Sequence, residues 1–354
     1  MQPEPGRGAT DATAAPPHWV VITTINAPSP AVERLLEALD ARWRVTVVGD
    51  AKTPAVWRAR RVEFLPLERQ RELFGAFAAA APLNHYARKN FGYLFALQQG
   101  AVTILDLDDD GTPLASFANQ VSRTLRGRLV GGGDWVNVYR WFTDGLIWPR
   151  GLPLDAIHRR GALLGDGVSQ DCPVQQFLVD DDPDVDAIYR LVFPGTGFSF
   201  APDAAPVLLA PGTWCPFNSQ NTLWFEAALP LLYLPNYCAF RVTDIWRSLV
   251  AQRALWLAGG SLAFRTSTLS QTRNPHDLNR DLADELPAYT QNRAIADCLD
   301  RAAGELAGRS VLETGQALWL ALTEARFLPA AEVALIEAWF DAVRAVISAR
   351  RQRD

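Results

Sequence analysis

The sequence predicts an α/β fold on a mostly parallel, doubly wound sheet. Three observations carry this: continuous apolar, β-branched runs, amphipathic helical stretches between them, and short connections. Trp19 to Ile25 (WVVITTI) suits a buried parallel strand. Pro28-Ser29-Pro30 then opens AVERLLEALDARW, in which Val32, Leu35, Leu36 and Leu39 share one helical face. Arg44 to Val48 (RVTVV) is a second strand, ending in Gly49-Asp50, and Arg61 to Leu65 (RVEFL) a third. Residues 68–99 read as one or two helices, the later one with Phe91, Leu94, Phe95 and Leu97 on its apolar side. Ala101 to Leu107 is a fourth buried strand, and it stops at Asp108-Asp109-Asp110-Gly111. Residues 112–240 are mixed, with short strands, Pro and Gly; Gly131-Gly132-Gly133-Asp134 reads as a loop. Residues 241–258 form a strong helix candidate, and 259–290 turn polar and irregular. From about Tyr289 to Arg350 the pattern is helical, with breaks at Gly308 and near Pro329. The expected boundaries lie near residues 18 and 285, giving a flexible tail (1–17), a main domain (18–285) and a helical C-terminal extension (286–354).

Composition narrows the function. The chain has 354 residues, 49% of them hydrophobic, so a large core is available and a disordered chain is excluded. A net charge of −5 argues against a broad grip on nucleic acid. Four cysteines with no CxxC spacing read as buried thiols, not a zinc site. There is no apolar run long enough for a membrane span, and residues 1–17 lack the core of a signal peptide, so a cytoplasmic protein is expected. Dinucleotide and P-loop motifs are missing.

Ligands of such sheets bind at the carboxyl ends of the strands. Those ends carry Thr24-Ile25-Asn26, Gly49-Asp50 and the aspartate cluster. Alternation sends Asp106, Asp108 and Asp110 to one side and Asp109 to the other. Carboxylates this close repel unless a cation neutralises them, and oxygen donors suit Mg²⁺ or Mn²⁺. The competing interpretation is an acidic turn that caps the next helix.

A family resemblance runs through these segments. KNFGYLFALQQGAVTILDLDDDG (89–111) resembles the stretch leading to the metal-binding aspartates of the STELLO-type glycosyltransferases, to which the plant UDP-arabinopyranose mutases are related. It continues in GDAKTP (49–54), WPRGLPL (148–154), DDPDVDAIYRL (181–191), PFNSQNTLWF (216–225), TDIWRSLVAQRALW (243–256) and RNPHDLNRDLADELPAY (273–289). It spans about 19–290 in the family's order. The implied fold is the nucleotide-sugar-binding GT-A type, with a DxD-like metal site in residues 18–285. The plant STELLO proteins carry a membrane anchor and further domains that are not found in this sequence, so their Golgi role is not expected to transfer.

The resemblance implies a role for each candidate residue. Asp108 and Asp110 hold the metal, Mn²⁺ or Mg²⁺, with His276 completing its shell. Thr24, Asn26 and Asp109 bind the nucleotide-sugar. Asp50 accepts hydrogen bonds from a uracil ring or ribose, and Lys52 meets a phosphate; a Gly-Asp turn with a solvated lysine is the simpler alternative. Lys89 and Asn90 contact pyrophosphate or ribose. These are notable because the chain has only two lysines, Lys52 and Lys89. Arg150, in a region loosely similar to the self-glycosylated arginine of the mutases, offers a fork to pyrophosphate or sugar hydroxyls; an aromatic packing corner competes. Asp184 and Asp186 lie near the sugar, against a helix-capping role. Asn221, in the polar knot Asn218–Asn221, binds sugar hydroxyls. Asp244 is the candidate base, with helix capping again the alternative. Arg273, with Asn274, assists at the leaving diphosphate.

The expected activity is transfer of a sugar from a nucleoside-diphosphate sugar, UDP foremost, to a glycan or lipid-linked acceptor, for example in surface-polysaccharide assembly. The alternatives are a UDP-sugar mutase and a non-catalytic nucleotide-sugar-binding protein. The C-terminal helices are expected to pack on the main domain or form a homodimer. The arginines at 58–61 and 344–353 suit an anionic membrane surface or solvent.

Overall fold

The computed structural model describes residues 18–117, 121–195, 197–273 and 277–352. The chain opens with β1 (His18–Thr23), α1 (Pro30–Ala38), β2 (Trp43–Val48), β3 (Val62–Leu65), α2 (Leu67–Ala80), α3 (Lys89–Gln98) and β4 (Thr103–Leu107). There follow β5 (Gly111–Pro113), β6 (Thr124–Gly131), β7 (Ala162–Asp171), β8 (Val174–Asp181), α4 (Ala187–Val192), β9 (Val207–Leu209) and β10 (Asn221–Phe225). The last elements are α5 (Thr243–Leu257), β11 (Leu262–Gln271), α6 (Leu278–Ala303), α7 (Val311–Glu324) and α8 (Glu332–Arg351).

All eleven strands join one sheet, in the order β3-β2-β1-β4-β10-β8-β11-β9-β6-β7, with β5 on β11. The first four strands pair in parallel, as their apolar runs and intervening helices predict. Beyond β4 the sheet is mixed: β10 runs antiparallel to both β4 and β8, and β11 is parallel to β8 but antiparallel to β9. The fold is thus α/β on a large mixed sheet, consistent with the GT-A type.

The stretch expected to be irregular holds a ten-residue strand, β11, in the middle of this sheet. Its polar residues conceal it: Thr268 and Gln271 are buried but hydrogen-bonded. Helix α6 starts at Leu278, so residue 285 lies inside a helix.

Two glycines bring elements into close contact. A Cβ on Gly92 of α3 would sit 2.5 Å from Val21 Cγ1 and 2.7 Å from Val48 Cγ2, so only glycine lets α3 lie on β1 and β2 at this distance. Gly151, in the WPRG segment, has φ +82°, and its Cβ would meet Ile245 Cγ2 at 2.5 Å.

The C-terminal helices are part of the same core. Leu318, Leu322, Leu335, Ile336, Trp339 and Phe340 are buried in the cluster that contains Tyr93, Trp224 and Leu249, with Phe327 packed against it. These apolar positions, expected to serve packing or a homodimer, are occupied within the chain.

Candidate active site

A cleft of about 380 Å³ opens where the sheet topology predicts, across the carboxyl ends of β1, β2 and β4 and on toward β8 and β11. Thr24, Asn26, Asp50 and Lys52 line its first part; Asp108, Asp109 and Asp110 its centre; Arg150, Asp184, Asp244 and Arg273 its far side. Eleven of the positions singled out from sequence therefore converge on one cleft, although they span residues 24 to 273.

The aspartate turn is fixed from several directions. The Asp109 carboxylate accepts hydrogen bonds from the Thr24 hydroxyl and from Asn26 Nδ2 (3.2 Å), and the Ser29 hydroxyl donates to the Asp109 carbonyl at 2.9 Å. Ser29 also caps α1. Thr24, Asn26 and Asp109 thus hold one another in the cleft wall.

Asp106 departs from its expected company. It is fully buried behind the cleft, with Oδ1 2.6 Å from Lys89 Nζ and Oδ2 2.9 Å from an Arg247 nitrogen. The same ammonium lies 3.4 Å from Asp108 Oδ1, and the Tyr86 hydroxyl donates to that oxygen at 2.7 Å. Burial, set against the attraction of Lys89 and reinforced by Asp110, pushes the Asp108 carboxyl up to about 7. Burial also raises Asp110. Gln271 Nε2 donates to Asp110 Oδ2 at 2.6 Å, while Oδ1 is buried with no partner among the described residues.

That orphaned oxygen and two carboxyls raised by burial fit a hard divalent cation. No three His, Cys, Asp or Glu side chains converge as a metal site among the described residues. Two carboxylates completed by substrate phosphates are a common way to hold Mg²⁺. Asp108 and Asp110 would hold the ion in that way. His276 lies outside the described residues.

The far wall is a buried ion-pair brace. Arg150 Nε and Nη2 donate to Asp184 at 2.9 and 2.8 Å, and Nη1 and Nη2 donate to Asp244 at 3.1 and 2.9 Å. Nη1 also donates to the Arg241 carbonyl. A guanidinium has five N–H donors, so Arg150 has none left for a phosphate. Asp244 also accepts from the Ser219 and Ile245 backbone N–H groups, at 3.2 and 3.0 Å. Four donors occupy the roughly four lone-pair sites of its carboxylate, which leaves none for an acceptor proton. Burial alone would raise Asp184, but Arg150 and then Arg273 override it and hold its carboxyl well below the usual range. Arg273 retains a buried Nε without a partner among the described residues.

Four expected residues do not line the cleft. Lys89 is fully buried and reaches it through Asp108 and through the Tyr86 hydroxyl, to which its Nζ donates at 3.0 Å. Asn90 exchanges two hydrogen bonds with the Leu234 backbone, at 2.8 and 2.9 Å. Asn221 donates to the Thr268 hydroxyl inside the sheet. Asp186 caps α4 and accepts from Trp148 Nε1 at 2.7 Å. Each satisfies buried backbone or neighbouring polar groups, a need that local sequence does not separate from ligand binding.

Sequence reasoning missed other lining residues. Asn84, His85 and Tyr86 enter from the turn before α3, and the His85 N–H donates to Asp50 at 2.9 Å. Gln271 comes from the unforeseen strand, and Phe240 and Arg241 from a short 3-10 turn before α5. Asn218 and Gln220, which belong to the polar knot that the sequence marks for sugar hydroxyls, do line the cleft, whereas Asn221 does not.

Residues 241–347 match the model of the STELLO glycosyltransferases. The chain is 30% identical over 275 residues to probable glycosyltransferase STELLO2 of Arabidopsis thaliana, covering 71% of this chain and 35% of that protein. It is 29% identical over 269 residues to probable glycosyltransferase STELLO1 of the same plant, covering 69% and 34%. The chain thus spans about a third of the length of these two relatives. Among the described residues no helix is long and apolar enough to cross a membrane.

Proposed function

This chain belongs to the STELLO-type glycosyltransferase family, and from that premise we propose that it transfers a sugar from a nucleoside-diphosphate sugar, with a divalent cation bound at Asp108 and Asp110. The observation that carries the reading is the line of groups along the strand ends. Asp50 and Lys52 stand at one end, the aspartate turn at the centre, and Arg273 beyond it.

In this reading the nucleoside lies over β1 and β2. Asp50, whose oxygens already accept the N–H groups of Ala51 and His85, is oriented to take a donor from the base. The family resemblance favours UDP, and the uracil imide N–H suits such an acceptor. When bound, a divalent cation neutralises charge developing on the departing diphosphate. Asp110 presents its free oxygen, Tyr86 and Lys89 orient Asp108, and Arg273 and Lys52 supply further positive charge to the phosphates.

The brace changes the expected acid–base chemistry. With its lone-pair sites occupied, Asp244 positions the wall instead of removing the acceptor proton. Asp184, held ionised by arginines, is a poor base. The reading therefore requires neither carboxylate as base, which favours a retaining course. The filled Arg150 is likewise a poor site for self-glycosylation, which favours transfer over the mutase alternative.

The test is a thermal-shift panel of nucleoside diphosphates and their sugars, each with Mn²⁺ and with EDTA. A ligand of the folded state raises the midpoint by mass action. Shifts with UDP species that vanish in EDTA and in Asp108→Ala or Asp110→Ala support the reading. No shift with any nucleotide would sink it.

A further inference from the structure

Phe240 gives one edge of the cleft an exposed aromatic surface. Phe240 lines the cleft yet is 51% exposed, and Tyr237, three residues earlier, is 40% exposed. Aromatic side chains are a usual lining of ligand clefts, and one left exposed at the edge offers a surface for a ligand to pack on. Phe240 is also rigidly presented. Its ring packs edge-on against Tyr86 with centroids 5.7 Å apart, and the Tyr86 hydroxyl sits on Asp108.

The surrounding segment is clamped at both ends by buried carboxylates from the C-terminal helices. Glu332, the first residue of α8, accepts from the Tyr233 hydroxyl and from the N–H groups of Asn236 and Tyr237, both at 2.8 Å. Glu285 of α6 accepts from Arg241 Nε at 2.9 Å and Nη2 at 2.6 Å. Neither glutamate lines the cleft. Buried carboxylates are tolerated only when fully hydrogen-bonded, and here those bonds fix residues 233–241. A ring on so fixed a backbone loses little freedom when a ligand packs on it.

We propose that Phe240, flanked by Tyr237, is the platform for the pyranose ring of a sugar acceptor. The inference rests on the donor reading above. In that reading the nucleotide and its phosphates are served by the polar groups of the strand ends. Phe240 has no hydrogen-bonding group and suits the C–H face of a sugar ring, while the Asn218 and Gln220 amides of the same cleft suit its hydroxyls. Glu285 and Glu332 are positioning residues for this platform. Both fall within residues 241–347, the span that matches the family model.

The experiment is saturation-transfer NMR on the full chain with Mg²⁺ and UDP. The probes are the methyl pyranosides of glucose, galactose, mannose and arabinose, and octyl glucoside. The expected result is saturation of the ring C–H protons of at least one methyl glycoside. It should disappear in Phe240→Ala and persist in Phe240→Trp, while UDP affinity by calorimetry stays within about twofold of wild type. The proposal is overturned if no methyl glycoside is saturated although UDP binds, or if Phe240→Ala gives the same signal. A loss of about tenfold or more in UDP affinity in Phe240→Ala would assign the ring to the donor instead. Saturation confined to the octyl chain would assign the platform to lipid. Failure of UDP itself to bind would overturn the donor reading, and this inference with it.

Discussion

Arg150 has five donors and five acceptors around it, and that count decides its role. From sequence it offered a fork to a phosphate; in the fold it joins Asp184, Asp244 and the Arg241 carbonyl into one wall. Lysine has three donors on a point charge and cannot satisfy all five acceptors. Arg150→Lys keeps the charge but leaves at least two buried acceptors unpaired, and is therefore expected to destabilise the fold by about 2–6 kcal/mol in urea unfolding, about 1–3 for each. A change under about 1 kcal/mol would place Arg150 outside the structural frame. Asp186 supports a second prediction. Burial, opposed by the N–H groups of Tyr189 and Trp148, raises its carboxyl to about 6. Below pH 4 the folded and unfolded states are both protonated. Between about 4 and 6 the folded state keeps a proton that the unfolded state has lost, so stability falls as pH rises through that window. The full penalty above it is roughly 3 kcal/mol. Asp186→Asn keeps a good helix cap and is expected to flatten that slope in unfolding measured from pH 4 to 7. An unchanged slope would contradict the assignment.

At the level of elements, legibility followed hydrophobic pattern. The strands β1, β2 and β4 are bounded within a few residues because a strand buried on both faces reads as an unbroken apolar run, and the edge strand β3 is still legible from Val62, Phe64 and Leu65. Strand β11 was lost because Arg265, Thr266, Ser267, Thr268 and Ser270 interrupt its apolar residues. The site shows the same division. Asp108, Asp110, Asp50 and Lys52 stand at strand ends and were legible from position. Tyr86 reaches Asp108 from 22 residues away, with no local mark to reveal it. Asn90 and Asn221 look like ligand-binding amides but satisfy buried groups of the chain. The close approach of α3 to the sheet yields a prediction. Gly92→Ala puts a methyl group against Val21 and Val48 and is expected to destabilise by about 1–3 kcal/mol, read from the urea midpoint. A neutral effect would mean that α3 can move away without loss.

At the scale of the molecule, the C-terminal helices complete the core and hold the 233–241 segment against the cleft. A chain ended at residue 304 exposes the partners of Trp319 and Trp339 and is expected to show no cooperative thermal transition. A sharp transition with UDP binding intact would establish the helices as dispensable. In the proposed function Asp108 and Asp110 form half a metal site, which the donor diphosphate completes. Its most direct measurement is calorimetric titration of UDP into the wild-type chain, with Mn²⁺ and with EDTA, paired with Mn²⁺ titrated alone. The expected result is weak binding of each ligand alone and at least about tenfold tighter UDP binding with the metal, a coupling of about 1.4 kcal/mol. That coupling should be lost in Asp110→Ala. Equal UDP affinity in Mn²⁺ and EDTA would contradict it.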